Sequence, residues 1–423
     1  MGTNFPLLSR TERDRRWNLI RGEMSKLGLD CLVIAGDQSN WGGNFANVRY
    51  VTGIGDIGFA LFPLREEPVL FNWWMAPLEA RQSPEVSPLT RTILDKAGRR
   101  KPVRSPWAIA EPWVNHIRQL GPRWGESVAR CIKDLGLQQG TIGMVGTSQN
   151  WEPDGVFPWK TYQVLRKELP QANFVDDATF ILERARLCKS PEEIRCVEKA
   201  SEIADAGIEA MVETARPGVS EIKVYARIHE RMMEEGSERY IIVYWTSGPT
   251  PTHVQLSTPP DRPLEKGDFI ISEITPRYGG YVAHPHQPVS IGKPIKEYEE
   301  MFNLLRRTRD AAFAKLKPGV TIGEQEDALT RPLEAAGYSY LHCPFHGMGL
   351  SGLEFPNANF WGKTNPIEAS PRDMVFEEGM VLAYEPMIST SDRKIGIPLG
   401  DTVVITATGA RRLSKYCNEL IVV

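Results

Sequence analysis

The sequence predicts an α/β domain over residues 1–180 followed by an α+β domain over residues 181–423, the second built from two halves related by a pseudo-two-fold axis. Three observations predict it. Strand-like and helical runs alternate through the first part, as in a mixed sheet flanked by helices. Lys189-Ser190-Pro191-Glu192-Glu193 then combines a capping serine, a proline at the first helical position and acids in the first turn, which starts a long new helix running to about Thr214. Finally, Pro217-Gly218-Val219-Ser220 opens a segment that ends at Gly236, and Pro318-Gly319-Val320-Thr321 opens one of equal length that ends at Gly337.

Taken in order, Thr11 to Leu27 reads as a helix and Asp30 to Ala35 as a strand. Asn47 to Gly53, Phe59 to Phe62 and Val69 to Phe71 are further strand-like runs between glycine and proline turns. Pro122 to Leu137 reads as a helix, Gly140 to Val145 as a strand, Thr161 to Glu168 as a helix and Ala172 to Val175 as a last strand. Nine of the eleven tryptophans (Trp17, Trp41, Trp73, Trp74, Trp107, Trp113, Trp124, Trp151 and Trp159) fall in this domain, where most serve as core or interface anchors. The break comes between Asp176 and Arg186.

Composition narrows the function classes. At 423 residues, with 41% hydrophobic and 24% charged, the chain can bury two proper cores. A net charge of -3 supplies no global field for nucleic acid or acidic membranes, so neither is an expected partner. There is no 18-residue apolar run and no apolar signal core near the start, so no membrane partner is expected. Six cysteines without a CxxC pair indicate reduced thiols and a cytoplasmic compartment.

The second domain carries the chemistry. Each repeat reads as a turn, a Ser or Thr cap, an amphipathic helix and a glycine stop. Beyond each, a glycine stands six residues before a glutamate that closes an apolar strand: Gly267 before Glu273, and Gly379 before Glu385. A two-fold relation between the halves brings these glutamates together, as acid/base or metal chemistry requires. Five of the seven histidines (His253, His284, His286, His342 and His346) lie between 253 and 346. Tyr281 to His286 reads as a returning strand after the Gly279-Gly280 turn, which puts His284 and His286 on one face, with Pro285 marking an edge or bulge.

The sequence resembles the pita-bread superfamily of creatinase, aminopeptidase P, prolidase and methionine aminopeptidase. Asn47 to Gly53 is similar to its N-terminal domain, Arg186 to Ile194 to the start of its catalytic domain, and Glu378 to Pro386 to its most specific strand. The resemblance implies a homodimer and a site assembled residue by residue. Glu273 stands where the first ligand aspartate of the metallopeptidases is expected, His284 where the second is, His346-Gly347-Met348-Gly349 at the ligand histidine motif, and Glu385 at the first ligand glutamate. Two positions depart: Gly400 replaces the bridging glutamate and Leu353 replaces a second histidine. With those losses no dinuclear centre is expected. Glu273, His284, His346 and Glu385 remain for one Fe, Zn or Mn ion, or for a metal-free pocket as in creatinase.

In the comparison with creatinase, His253 falls at the general acid/base histidine, and His286 replaces a substrate-binding glutamate. Tyr281 and His342 complete the expected substrate contacts, and Glu273 and Glu385 are expected to position water or substrate for His253. The preferred expectation is a hydrolase cleaving a C–N or related bond in a small non-peptide metabolite. The alternatives are a lyase acting by proton abstraction, a mononuclear-metal Xaa-Pro dipeptidase, and a catalytically silent binding module.

Overall fold

The computed structural model describes residues 8–36, 43–53, 58–72, 90–94, 100–104, 113–148, 155, 157–238, 241–253, 258–341, 343–358 and 370–423. The chain divides into two compact units, Met1–Arg186 and Leu187–Val423.

The first unit is a mixed sheet with helices. Its elements are α1 (Arg10–Lys26), β1 (Cys31–Gly36), α2 (Gly43–Thr52), β2 (Gly58–Pro63), β3 (Val69–Asn72), β4 (Thr90–Leu94), β5 (Arg100–Arg104), β6 (His116–Gln119), α3 (Trp124–Asp134), β7 (Thr141–Val145), α4 (Trp159–Glu168), β8 (Asn173–Val175) and α5 (Thr179–Arg186). Six strands run in the order β6-β3-β2-β1-β7-β8, and β4 pairs with β5. Central β1 is antiparallel to β2 and parallel to β7. Val33, Phe59, Phe71, Val128 and Ile132 belong to one continuous core, because alternate strand residues and the apolar stripe of α3 face each other. Arg16 is wholly buried, with its guanidinium 4.4 Å from the Tyr50 ring and 4.9 Å from the Trp113 ring and its charge paired with Glu12 at 2.7 Å. Trp17 and Trp113 are core residues and Trp159 is exposed, whereas Trp41, Trp73, Trp74, Trp107 and Trp151 lie outside the described residues.

Asn47 to Thr52 is helical, not the strand its β-branched residues suggest. Ala46 to Gly53 is buried on every side, so the segment has no amphipathic period to read, and tertiary packing overrides local propensity.

The second unit opens with α6 (Pro191–Thr214), whose capping box joins Ser190 and Glu193 as expected. There follow α7 (Glu221–Glu234), β9 (Ile242–Gly248), β10 (Phe269–Thr275), β11 (Arg277–Tyr278), β12 (Tyr281–Val282) and β13 (Val289–Ser290). The other half comprises α8 (Lys296–Phe313), α9 (Ile322–Ala335), β14 (Ser339–Tyr340), β15 (Phe345–Gly347), β16 (Glu354–Asn357), β17 (Val381–Tyr384), β18 (Met387–Ser389), β19 (Gly396–Pro398), β20 (Asp401–Thr406), β21 (Gly409–Arg412) and β22 (Ile421–Val422). The halves echo each other: α6 packs on α7 and α8 on α9, beside sheets ordered β22-β13-β10-β9 and β16-β15-β17-β20-β21. Gly218 and Gly319 share a φ of +87°, a left-handed turn that disfavours a Cβ at the same point of each repeat. This is the pita-bread architecture with its internal two-fold repeat.

Candidate metal centre

All seven residues of β10 are buried, and Glu273 lies within it opposite Tyr244 of β9. The Thr275 hydroxyl donates to Glu273 Oε1 at 3.0 Å. After the β11–β12 hairpin the paired strand ends at Val282, and Pro285 and Pro288 offer no N–H to a ladder. His284 is fixed by its backbone N–H on Thr402 Oγ1 at 3.2 Å. His286 faces Gly400 across an isolated antiparallel bridge. From the other half, His346 of β15 pairs with Ala383 of β17 beside a bulge at His346/Gly347. Glu385 follows β17, with its N–H on the carbonyl of Pro344 at 3.0 Å.

These five side chains converge. His346 Nε2 lies 3.0 Å from Glu385 Oε1, His284 Nε2 lies 3.4 Å from Glu385 Oε2, and His286 Nε2 lies 2.7 Å from the same oxygen. On the far side, Glu273 Oε1 is 3.9 Å from His284 Nδ1, and Glu273 Oε2 is 3.7 Å from His286 Nε2. All five are buried. Two overlapping groups result, His284/His346/Glu385 and Glu273/His286/Glu385, and in each the donor atoms lie within 4.8 Å of one another.

The donors suit a divalent ion. His346 Nδ1 is 2.9 Å from the carbonyl of Gly347, so the ring donates its proton there and turns a lone pair on Nε2 inward. Burial pushes the His346 imidazole below the usual histidine range, opposed by the Glu385 carboxylate, and so favours the neutral, ligating form. Two imidazoles and a carboxylate form a recurrent set for first-row transition metals.

The two glycines after His346 have steric causes. A Cβ at Gly347 would meet the Phe355 carbonyl oxygen at 2.1 Å, and one at Gly349 would meet Lys189 Cε at 2.8 Å. Gly400 faces the cluster, since a Cβ there would lie 2.6 Å from His286 Cδ2 and 2.8 Å from Glu385 Cβ. Leu353 is buried and offers no ring nitrogen.

The other expected site residues divide. His253 is exposed and lines a cavity of about 300 Å³ with Thr246 to Thr252, five residues beyond β9. Its loop is docked by the Gly396 N–H and the Tyr298 hydroxyl, both donating to the Pro251 carbonyl. Tyr281 is buried, and its hydroxyl donates to Glu193 Oε1 at 2.6 Å, the carboxylate of the α6 capping box. His342 lies outside the described residues. Assigning His286 to substrate missed its place in a donor group with Glu273 and Glu385. The His-Pro-His spacing carried that signal, because alternate residues of an extended chain share a face.

Residues 195–407 match the model of metallopeptidase family M24, and residues 16–188 match the creatinase/prolidase N-terminal domain. The chain is 28% identical over 249 residues to an Xaa-Pro dipeptidase of Pyrococcus furiosus, covering 58% of this chain and 68% of that protein. It is 33% identical over 252 residues to the probable dipeptidase PepE of Mycobacterium tuberculosis, covering 58% and 63%. Among solved structures, the Pyrococcus horikoshii prolidase superposes with a TM-score of 0.71 at 22% identity, covering 96% of this chain and 99% of that one. The dipeptidase PepE of Mycobacterium ulcerans gives 0.72 at 22%, covering 99% of both. The named relatives overturn the expectation of a creatinase-like hydrolase acting on a non-peptide metabolite, and they lend no support to a lyase.

Proposed function

The chain belongs to metallopeptidase family M24, and from that premise we propose that it is a metal-dependent dipeptidase whose first substrates to test are Xaa-Pro dipeptides. The observation that carries the proposal is the buried His284/His346/Glu385 group, with His346 locked in the ligating tautomer by Gly347. The relatives named as dipeptidases support the substrate class.

His284, His346 and Glu385 would hold a divalent ion, which would supply Lewis-acid chemistry toward the scissile carbonyl and water. The chain's own residues supply the rest. The His346 ring is held by the Gly347 carbonyl and the His284 backbone by the Thr402 hydroxyl, and burial of the five side chains excludes bulk water from the reacting atoms. His253 is exposed on a loop tied to Gly396, four residues before Gly400, which suits it to pass a proton to the departing amine. Assembly as a homodimer in a cytoplasm-like compartment belongs to the same proposal. Six cysteines without a CxxC pair support the compartment, and among the described residues no helix is long and apolar enough to cross a membrane.

The test is incubation of the full chain, loaded with Mn, Fe or Zn, with Xaa-Pro and Xaa-Ala dipeptides, reading released amino acids by mass spectrometry. Metal-dependent release is expected, with His253→Ala slowing it by about 10²–10⁴-fold, the usual reach of a general acid. No release from any dipeptide under any metal would reject the proposal. An unchanged rate in His253→Ala would reject the proton-transfer role alone.

A further inference from the structure

Arg277 carries a buried guanidinium at the start of the β11–β12 hairpin. Its Nη1 donates to two carbonyls that belong to different halves of the second unit, Gly280 in the hairpin turn at 2.6 Å and Leu350 at 2.7 Å. Leu350 lies shortly after His346 in the chain, and the same strip is tied a second time by the Val282 N–H, which donates to the Gly349 carbonyl at 3.0 Å. Val282 in turn stands just before His284. The hairpin is anchored on its other sides. The Gly280 N–H donates to Glu238 Oε1 at 2.7 Å, the Arg277 N–H to Ser237 Oγ at 3.2 Å, and the Tyr281 hydroxyl to Glu193.

We infer that Arg277 is a positioning residue: by joining the Gly280 turn to the Leu350 carbonyl, it sets how the chain carrying His284 stands against the chain carrying His346. The inference rests on reading His284, His346 and Glu385 as a metal centre. The two rings come from opposite halves, with centroids 5.0 Å apart and planes at 54°, so contacts across the halves, not local chain geometry, fix their separation. A guanidinium suits that task. One of its nitrogens carries two hydrogens that diverge in a fixed plane, so the two carbonyl oxygens are held at a set angle. Hydrogen bonds from a cation are also shorter and stronger than neutral ones, as both distances here show. Metal binding depends steeply on such support, because an ion tolerates little displacement of its donors.

The experiment titrates Co(II) into the chelator-stripped full chain, reading the apparent Kd and the band positions from the visible absorption, with unfolding midpoints measured alongside. Arg277→Met is expected to weaken Co(II) binding by about 10–100-fold, the usual reach of a contact behind a ligand, and to shift the bands. Arg277→Lys keeps the charge on a shorter stem that cannot span both carbonyls, so it is expected to fold and to show a smaller loss of the same kind. Tyr281→Phe removes the hold on Glu193 at the α6 side of the same hairpin, and is expected to lower the midpoint while leaving Co(II) affinity and spectrum unchanged. Wild-type affinity and bands in either folded Arg277 variant would overturn the inference while leaving the dipeptidase proposal standing. A loss of affinity in Tyr281→Phe equal to that in Arg277→Met would also overturn it, by assigning the effect to the hairpin as a whole. No Co(II) bound by the wild-type chain would overturn both.

Discussion

Lys189 Nζ and Glu354 Oε2 form an ion pair of 2.9 Å in which both side chains are at most 3% exposed. The pair ties the segment preceding α6 to the strand that follows the His346 motif. Because neither charge can recover solvent, removing one partner strands the other. Lys189→Met is therefore expected to cost about 3–5 kcal/mol. Replacing both partners with apolar residues of similar volume should recover most of that loss. Chemical unfolding of the two variants checks both statements.

Asp401 gives stability a pH dependence. Burial pushes its carboxyl up to about 7, against an unfolded value near 3.8, although the Ser414 N–H donates to it. Between those values the folded state holds a proton that the unfolded state has released, so stability falls as pH rises through the window and levels off above it. Asp401→Asn keeps an oxygen for the Ser414 N–H and removes the slope. Thermal midpoints should show the variant gaining most over wild type at about pH 8 and little at about pH 4.

Tyr281 should behave as a structural residue. Its hydroxyl serves Glu193, whose other oxygen accepts from the backbone N–H of Ser190 at the start of α6. Tyr281→Phe is expected to lose about 1–3 kcal/mol, the usual cost of depriving a buried polar group of its partner. KM for a cleaved dipeptide should stay within twofold, roughly the scatter of a substitution remote from substrate. A selective rise in KM without loss of stability would restore Tyr281 to the substrate site.

Gly400 is a steric position. The 2.6 Å and 2.8 Å approaches predict that Gly400→Ala costs about 1–3 kcal/mol through overpacking. His286→Ala in the same chain should relieve part of that cost, because it removes the ring atom at 2.6 Å and leaves the approach to Glu385 Cβ. Unfolding midpoints of the single and double variants would show the coupling.

Local signals made the repeat and most of the cluster legible. The Pro-Gly-Val-Ser and Pro-Gly-Val-Thr openings recur because each half needs the same left-handed turn, as Gly218 and Gly319 show. Glu273, His284, His346 and Glu385 were readable because strand ends and family spacing put them at known distances along the chain. What was hidden is relational. The exclusion between His286 and a side chain at 400 joins segments more than a hundred residues apart, and no periodicity records it. The helix at Gly43–Thr52 is hidden for a different reason, because Ala46 to Thr52 are all buried, so that the pattern resembles that of a central strand.

Dipeptide hydrolysis by this chain is proposed to depend on a divalent ion held by His284, His346 and Glu385. The most direct measurement is dipeptide hydrolysis by the chelator-stripped full chain as Mn(II), Fe(II) or Zn(II) is added back, beside Glu385→Gln under the same conditions. No release of amino acid is expected without metal, with saturable recovery as an ion is titrated in, and neither recovery nor retained ion in Glu385→Gln. Undiminished hydrolysis by the stripped chain, or full recovery in Glu385→Gln, would contradict it.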